Sequence, residues 1–209
     1  MKLYDCSTAP SPRRVRIFAA EKNMRLELVP IDLASGEQFS DAFRAINPDC
    51  VVPVLALDDG TYLSEVTAIC QYLEELQPEP SLLGTTATER ALVSMWNAKA
   101  ESQGLWAMAE VFRNSVKGLR GRALPGPDNY EQIPALAERG RLRVLAFMQR
   151  LNQQLAQHEF LAGRHYSMAD ITALVVIDFA ARMKIDIDDK ASHLQRWYQS
   201  VAARPSAAA

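Results

Sequence analysis

Residues 51–76 read VVPVLALDDGTYLSEVTAICQYLEEL, and this stretch decides the fold. Its first seven residues are apolar and predict a β-strand, and the DDG turn leads back into a second short strand, TYL. Ser64 is a candidate helix cap, and the apolar residues that follow Glu65 recur at helical spacing. The stretch therefore predicts a β-hairpin followed by a helix.

The preceding residues predict a β-α-β unit. Residues 2–5 and 26–33 have the pattern of strands, and residues 13–22 between them have that of a helix. Ser11 followed by Pro12 is typical of a helix start, because a hydroxyl can accept from a free backbone N–H and proline lacks a donor that the first turn leaves unpaired. We expect the two strands to pair in parallel.

The residues beyond the hairpin and its helix predict only further helices. A short helix ending near Asn47-Pro48 precedes the hairpin, and after residue 77 the apolar period is helical throughout. The motifs Thr86-x-x-Glu89 and Ser167-x-x-Asp170 match capping boxes. The predicted helices of this half cover residues 86–113, 135–157, 171–183 and 194–202.

This order of elements predicts two domains. An α/β domain with the order βαβ-α-ββα and a mixed four-stranded sheet covers residues 1–77, and an all-α domain covers residues 89–209. Residues 78–88, which are polar and rich in proline at their start, form the predicted linker.

The composition excludes several classes of function. Of the 209 residues 48% are hydrophobic, and the formal net charge is −2, so the chain lacks the basic surface that nucleic acid requires. No apolar run is long enough to cross a membrane. Three scattered cysteines favour a reducing cytoplasm over a disulfide framework, and the three histidines lack companions at metal-ligand spacing. We expect no metal, no membrane and no nucleic-acid partner.

A proline inside the first hairpin strand has two interpretations. Pro53 lacks the N–H that an internal strand needs, so it indicates an edge or an unusual peptide bond. A cis Val52–Pro53 bond would turn the backbone N–H and C=O of Val52 outward, where an extended peptide could pair with them. An ordinary trans proline at a strand start is the alternative.

Two further segments are candidates for binding or chemistry. At Ser64-Glu65-Val66, free helix N–H groups and a carboxylate could grip an α-amino acid head, or serve only as a cap. The loop at residues 6–11, CSTAPS, offers hydroxyls and a thiol beside a helix start. Lowering a thiol pKa of ~8.5 by about two units needs only about 2.7 kcal/mol, so this loop could stabilise a thiolate.

Trp106, Met108 and Phe112 form the candidate substrate pocket. Aromatic and methionine side chains at helical spacing belong either to the core of a helical domain or to an apolar cleft. If these three residues line a cleft, its apolar surface suits a hydrophobic electrophile.

Short motifs from both domains complete the pattern. They are residues 11–17 (SPRRVRI), 47–48 (NP), 52–55 (VPVL), 58–60 (DDG), 65–69 (EVTAI), 160–163 (FLAG) and 167–171 (SMADI). With these motifs the chain resembles the cytosolic glutathione transferases over nearly its whole length, including their thioredoxin-like N-terminal domain. The start of the chain and its first loop are most similar to an atypical fungal and bacterial branch that lacks a Tyr, Ser or Cys activator.

The resemblance implies glutathione as co-substrate and a homodimer. It implies a cis bond before Pro53 and a backbone contact from Val52 to the cysteinyl part of glutathione. Glu65 and the N–H of Val66 would bind the γ-glutamyl group. The lysine that is common before the Val-Pro pair is absent, so Gln38 becomes the candidate partner of the glycyl carboxylate.

The catalytic group is not carried over from the family. Ala9 occupies the position of the usual activator, and residues 110–114 (EVFRN) do not match the side chains that hold a water in the atypical branch. We expect helix-one amides and a hydroxyl from Ser11, Thr8 or Ser7 to stabilise the thiolate.

The predicted function is conjugation of the glutathione thiolate to an electrophilic hydrophobic small molecule. A glutathione-dependent thiol–disulfide oxidoreductase is one alternative, and only this alternative requires the sulfur of Cys6. A non-catalytic glutathione-binding or interaction module of the same fold is the other, since Ala9 replaces the activator.

Overall fold

The computed structural model describes residues 1–209 and divides them into two units. The first comprises residues 1–80, 125–128 and 209, and the second comprises residues 81–124 and 129–208. The strands of the first unit are β1 (Lys2–Asp5), β2 (Glu27–Pro30), β3 (Val54–Ala56) and β4 (Tyr62–Ser64). Its helices are α1 (Pro10–Glu21), α2 (Asp41–Arg44) and α3 (Val66–Leu76), with a 3-10 turn at Glu37–Phe39.

The four strands form one mixed sheet in the order β2-β1-β3-β4. β1 pairs with β2 in parallel, and β3 is antiparallel to both β1 and β4. Tyr4 lies opposite Val54, and Val54 lies opposite Ser64. The predicted parallel β-α-β unit, the hairpin and the mixed four-stranded sheet are therefore confirmed.

Each face of the sheet buries its own apolar cluster. Leu3 and Leu55 are opposite one another and fully buried, as are Phe18 of α1 and Ile69 of α3. On the other face Ile31, Phe43 and Val54 form a second cluster, against which Tyr4 and Val52 pack. Because successive strand residues point to opposite faces, the same short strands contribute to both clusters.

A buried cation ties the C-terminal end of α1 to the end of this unit. The Lys22 side chain is fully buried, and its Nζ forms an ion pair with Glu74 at 2.6 Å. The same ammonium donates to the carbonyls of Gln77 at 2.7 Å and Pro80 at 2.8 Å. These partners use all three donors of the ammonium, which compensates for its loss of water.

The second unit is all helical, as predicted. Its helices are α4 (Ala87–Lys99), α5 (Trp106–Ser115), α6 (Pro134–Leu155), α7 (Met168–Arg182) and α8 (Ser192–Ala202). None of the helices of the chain is both long and apolar enough to cross a membrane.

The long helix predicted over residues 86–113 runs without a break from Ala87 to Ser115, but a π-helical segment at Ala100–Leu105 divides it into α4 and α5. Gly104 lies so close to neighbouring helices that a Cβ there would approach Val176 to 2.8 Å and Phe147 to 2.9 Å. The wider turn leaves the carbonyl of Ser102 to accept from Arg143 at 2.6 Å. Apolar spacing cannot reveal such a widened turn, because the period on either side of it is helical.

A buried carboxylate joins three segments of the helical unit. Oδ1 of Asp170 accepts from the N–H of Leu161 at 3.0 Å and from Nε1 of Trp197 at 2.9 Å. Its Oδ2 accepts from the N–H and the hydroxyl of Ser167, which completes the predicted capping box of α7. Burial raises the pKa of Asp170 to about 6, although these four hydrogen bonds act to lower it.

The raised pKa of Asp170 predicts a stability that falls as the pH rises through the range from the unfolded value of 3.8 to about 6. In that range the folded chain binds the proton more tightly than the unfolded chain, so the loss is about 3 kcal/mol at about 1.4 kcal/mol for each pH unit. Urea unfolding between pH 4 and pH 7 measures it. The free energy of unfolding of the native protein should decrease relative to that of Asp170→Asn, which cannot titrate there, and a constant difference would contradict the assignment.

Candidate functional site

One end of the sheet gathers the residues that the sequence singled out for binding. Because β3 is antiparallel to both neighbours, its first residue, Val54, lies beside the C-terminal ends of β1 and β4. Val52 and Pro53 precede Val54, and Glu65 follows the last residue of β4. The loop that follows β1, at residues 6–9, starts from the same end. Backbone register alone therefore brings these segments together.

The backbone of Val52 is free to pair with a ligand. The Val52–Pro53 bond is cis, as the resemblance implies, and the trans alternative is wrong. The N–H and C=O of Val52 make no hydrogen bond within the chain, whereas the carbonyl of Val51 accepts from Asn47 at 2.9 Å. The side chain of Val52 packs against the cluster that contains Val54. An anchored side chain beside an unpaired amide suits the addition of an extended peptide.

The N-terminus of α3 differs from the sequence expectation. Ser64 is the last residue of β4 and does not cap the helix, since the N-cap residue is Glu65. Glu65 has φ 67°, a conformation that non-glycine residues rarely adopt, and no side chain caps the helix. The N–H groups of Val66 and Thr67 consequently have no partner within the chain. An exposed carboxylate and unpaired helix amides therefore adjoin one another, which suits an ammonium and a carboxylate of one ligand.

Strain at a single exposed residue is itself a sign of function. A non-glycine residue in this part of backbone space costs about 1–3 kcal/mol, and such residues cluster at ligand-binding positions. Nothing in the fold compensates at Glu65 by a side-chain hydrogen bond. The position therefore keeps a glutamate where glycine would fit the backbone better.

An ion pair anchors the first loop, which comprises residues 6–9. Arg16 pairs with the buried carboxylate of Asp5, and its Nη2 donates to the carbonyl of Ser7 at 3.1 Å. The N–H of Ala9 donates to the carbonyl of Cys6 at 2.9 Å and closes a tight turn. The two residues within this turn, Ser7 and Thr8, are exposed, so their hydroxyls point away from the core of the unit.

The start of α1 also differs from the expectation. Ser11 is not the cap, because the helix begins at Pro10 after an extended Ala9. Proline suits the first turn at more than one position, since none of the first N–H groups has a partner within the helix. Pro10 and Pro12 leave Ser11 as the only N–H donor among the first three helical residues. Of the α1 amides expected to stabilise a thiolate, only that of Ser11 is thus available in these three residues, together with the Ser11 hydroxyl.

Gln38 lies within the 3-10 turn after β2. Its Oε1 is buried and has no hydrogen-bond partner. Oε1 is an acceptor and suits an N–H of a ligand, whereas a carboxylate would need the Nε2 donor of the same amide. Its assignment to a glycyl carboxylate stays a prediction.

The three predicted pocket residues have different environments. Trp106 is 56% exposed, and Phe112 is half-buried with its ring edge-to-face against Phe179 at 5.5 Å. Met108 is fully buried and offers no surface to a ligand. The sequence did not identify Arg113 as a candidate site residue. Its position seven residues after Trp106 is nevertheless a helical spacing that places both side chains on one face.

No group of three or more His, Cys, Asp or Glu side chains is arranged to hold a metal ion. The three cysteines are free, and Cys6, the half-buried one, has its Sγ 3.5 Å from Oγ1 of Thr8. The site therefore offers backbone amides, hydroxyls and one carboxylate.

Comparison with known proteins gives full-length similarities. Residues 8–76 match the family described as "Glutathione S-transferase, N-terminal domain", and residues 123–205 match "Glutathione S-transferase, C-terminal domain". Glutathione S-transferase 2 of Saccharomyces cerevisiae is 36% identical over 99% of this chain and 87% of its own length. Maleylacetoacetate isomerase of Rattus norvegicus is 28% identical over 88% of this chain and 80% of its own.

Solved structures agree with this similarity. A glutathione S-transferase domain-containing protein from Marinobacter aquaeolei VT8 superposes with a TM-score of 0.90 at 42% identity, covering 99% of both chains. Gtt2 from Saccharomyces cerevisiae has the same TM-score at 36% identity, covering 99% of this chain and 98% of its own.

The backbone of Glu65 predicts that glycine is the more stable residue at this position. Glu65→Gly should raise the free energy of unfolding by about 1 kcal/mol, because relief of the strain exceeds the entropy cost of glycine. Glu65→Ala retains a Cβ and should give no such gain. Urea denaturation of both variants measures the difference, and equal stabilities would show that the glutamate is not strained.

Proposed function

Because this chain belongs to the glutathione S-transferase family, we propose that it joins the sulfur of glutathione to an electrophilic carbon of a largely hydrophobic small molecule. The thiol first loses its proton to solvent. The thiolate then supplies the electron pair of the new sulfur–carbon bond, and a leaving group such as chloride departs with the electron pair of the broken bond. The protein contributes binding, orientation and stabilisation of the thiolate.

The unpaired amide of Val52 is the observation that carries the proposal. Its N–H and C=O offer one donor and one acceptor at the end of β3, which is the complement of the backbone of a cysteinyl residue. Glutathione would lie there as a short added strand. Its thiol would then be fixed by two backbone hydrogen bonds, independently of which electrophile is bound.

The start of α3 supports binding of the γ-glutamyl end. The α-ammonium of glutathione would pair with the exposed carboxylate of Glu65, and its α-carboxylate would accept from the N–H of Val66. Val66 carries no hydroxyl, so the backbone alone would bind the carboxylate. Gln38 remains our candidate for the glycyl end.

We assign stabilisation of the thiolate to the first loop. Ser11 offers an N–H and a hydroxyl at the positive end of α1, and neither has a partner within the chain. Thr8 and Ser7 are the second and third candidates, since their hydroxyls are exposed on the adjacent turn. A charge-assisted hydrogen bond contributes about 1.5–3 kcal/mol, which corresponds to a decrease of about one to two units in the pKa of the thiol.

The helical unit would bind the electrophile. The exposed ring of Trp106 and the half-buried ring of Phe112 provide apolar surface on α5. We also propose a homodimer in the cytoplasm, as the family resemblance and the three free thiols favour.

Replacement of the Glu65 carboxylate tests the binding mode. Glu65→Ala should raise the half-saturating concentration of glutathione at least tenfold, because the ammonium of glutathione loses its charged partner. Steady-state conjugation at varied glutathione concentration measures this. Glu75→Ala, at the exposed end of the same helix, is the matched control and should leave that concentration unchanged. A value for Glu65→Ala equal to that of the native protein would rule out this contact.

Ser11→Ala tests whether the Ser11 hydroxyl stabilises the thiolate of glutathione. Loss of the hydroxyl removes stabilisation from the anion, so the pKa of bound glutathione should rise by about one unit and the rate profile should move to higher pH. The ultraviolet absorbance of the thiolate, followed against pH at saturating glutathione, measures this directly. Thr8→Val and Ser7→Ala are compared in parallel. If Ser11→Ala leaves the titration unchanged while one of these shifts it, the activating hydroxyl lies on the turn instead.

A further inference from the structure

One face of α5 includes an arginine that the proposed reaction does not use. Trp106, Ala109 and Arg113 are separated by three and then four residues, so their side chains share one face of the helix. Ala109, which is half-buried, places only a methyl group between its two large neighbours. The face therefore presents an aromatic ring and, about two turns or roughly 10 Å later, a guanidinium group.

Arg113 has no acidic partner. Its Nη1 donates to the backbone carbonyl of Arg122 at 2.9 Å, and no carboxylate forms an ion pair with it. The acid one turn earlier, Glu110, is engaged elsewhere, because its Oε1 accepts from Arg139 at 2.6 Å and lies 3.1 Å from Nη1 of Arg143. Burial acts to raise the pKa of Glu110, but these two arginines outweigh it and lower that pKa. Oε1 of Glu110 is thus paired with two arginines of α6, while its buried Oε2 has no hydrogen-bond partner.

The environment of Arg113 provides no negative charge to balance its guanidinium. Burial lowers the pKa of Arg113, and the neighbouring positive charge of Arg122 lowers it further. The guanidinium has lost water without gaining negative charge in return. Four of its five N–H donors have no partner within the chain. An anion that reaches this group regains both the charge compensation and the hydrogen bonds.

We propose that Arg113 is a specificity-determining residue that selects electrophiles carrying a carboxylate on an aromatic ring. The ring packs along Trp106 and Ala109, and the carboxylate accepts from the planar fork of the guanidinium. This inference rests on the proposed function and names the class of the second substrate.

A matched pair of electrophiles tests the proposal. Chlorodinitrobenzoate and chlorodinitrobenzamide react at the same kind of carbon and differ in charge. We expect Arg113→Gln to lower the ratio of kcat/KM for the benzoate over that for the benzamide at least tenfold, after division by the rates without protein. Arg113→Lys keeps the charge but not the fork and should recover part of the ratio. Arg120→Gln, which removes an exposed arginine nearby in the sequence, should leave the ratio unchanged.

The outcomes separate this inference from the proposed function. An unchanged ratio in Arg113→Gln overturns the role of Arg113 while leaving the transferase activity intact. If that variant does not fold, the proposal is tested on the native protein instead. The inhibition constants of unreactive dinitrobenzoate and dinitrobenzamide are then compared. At least tenfold tighter inhibition by the acid supports the proposal, and equal inhibition overturns it. Failure of the native protein to conjugate either electrophile while it binds glutathione overturns the proposed function, and this inference with it.

Discussion

The candidate site depends on one constraint, the position of β3 between two antiparallel neighbours. Tyr4, Val54 and Ser64 lie in one row across the sheet, and this row fixes where each adjoining segment leaves it. It brings the amide of Val52 and the strained backbone of Glu65 to the same end. A slip of one residue would turn every side chain of β3 to the opposite face and expose the apolar cluster that Val54 completes. Burial of that cluster therefore stabilises the register, and the register creates the site.

Much of the fold could be predicted from the sequence because its signals are periodic. The alternation of the strands, the DDG turn and the two capping boxes each define an element by chemistry that is local in the chain. The start of α1 was not defined in this way. Two prolines flank Ser11, both suit a first turn, and the choice between Ala9 and Ser11 as the cap depends on the path of the chain out of β1.

The candidate site was predicted less completely, for reasons that differ from residue to residue. Glu65 was singled out for its charge, but glutamate has no preference for positive φ, so its strained backbone left no trace in the sequence. Met108 was grouped with Trp106 because both lie on one helix, although periodicity does not say which face a neighbouring helix covers. Arg113 was not singled out from the sequence, because an arginine without an acidic partner is recognisable only once the surrounding side chains are placed.

The π-helical turn at Ala100–Leu105 has a consequence for how such a chain can diversify. A turn of this kind commonly results from one additional residue in an α-helix, and each residue rotates the remainder of the helix by about 100°. Removal of a residue here would present a different set of α5 side chains on the face that now carries Trp106, while the sheet and the segments at Val52 and Glu65 stayed as they are. Descendants of one ancestral gene could in this way exchange their repertoire of acceptor molecules through a single codon deletion or insertion, without rebuilding the half of the protein that we propose binds the thiol.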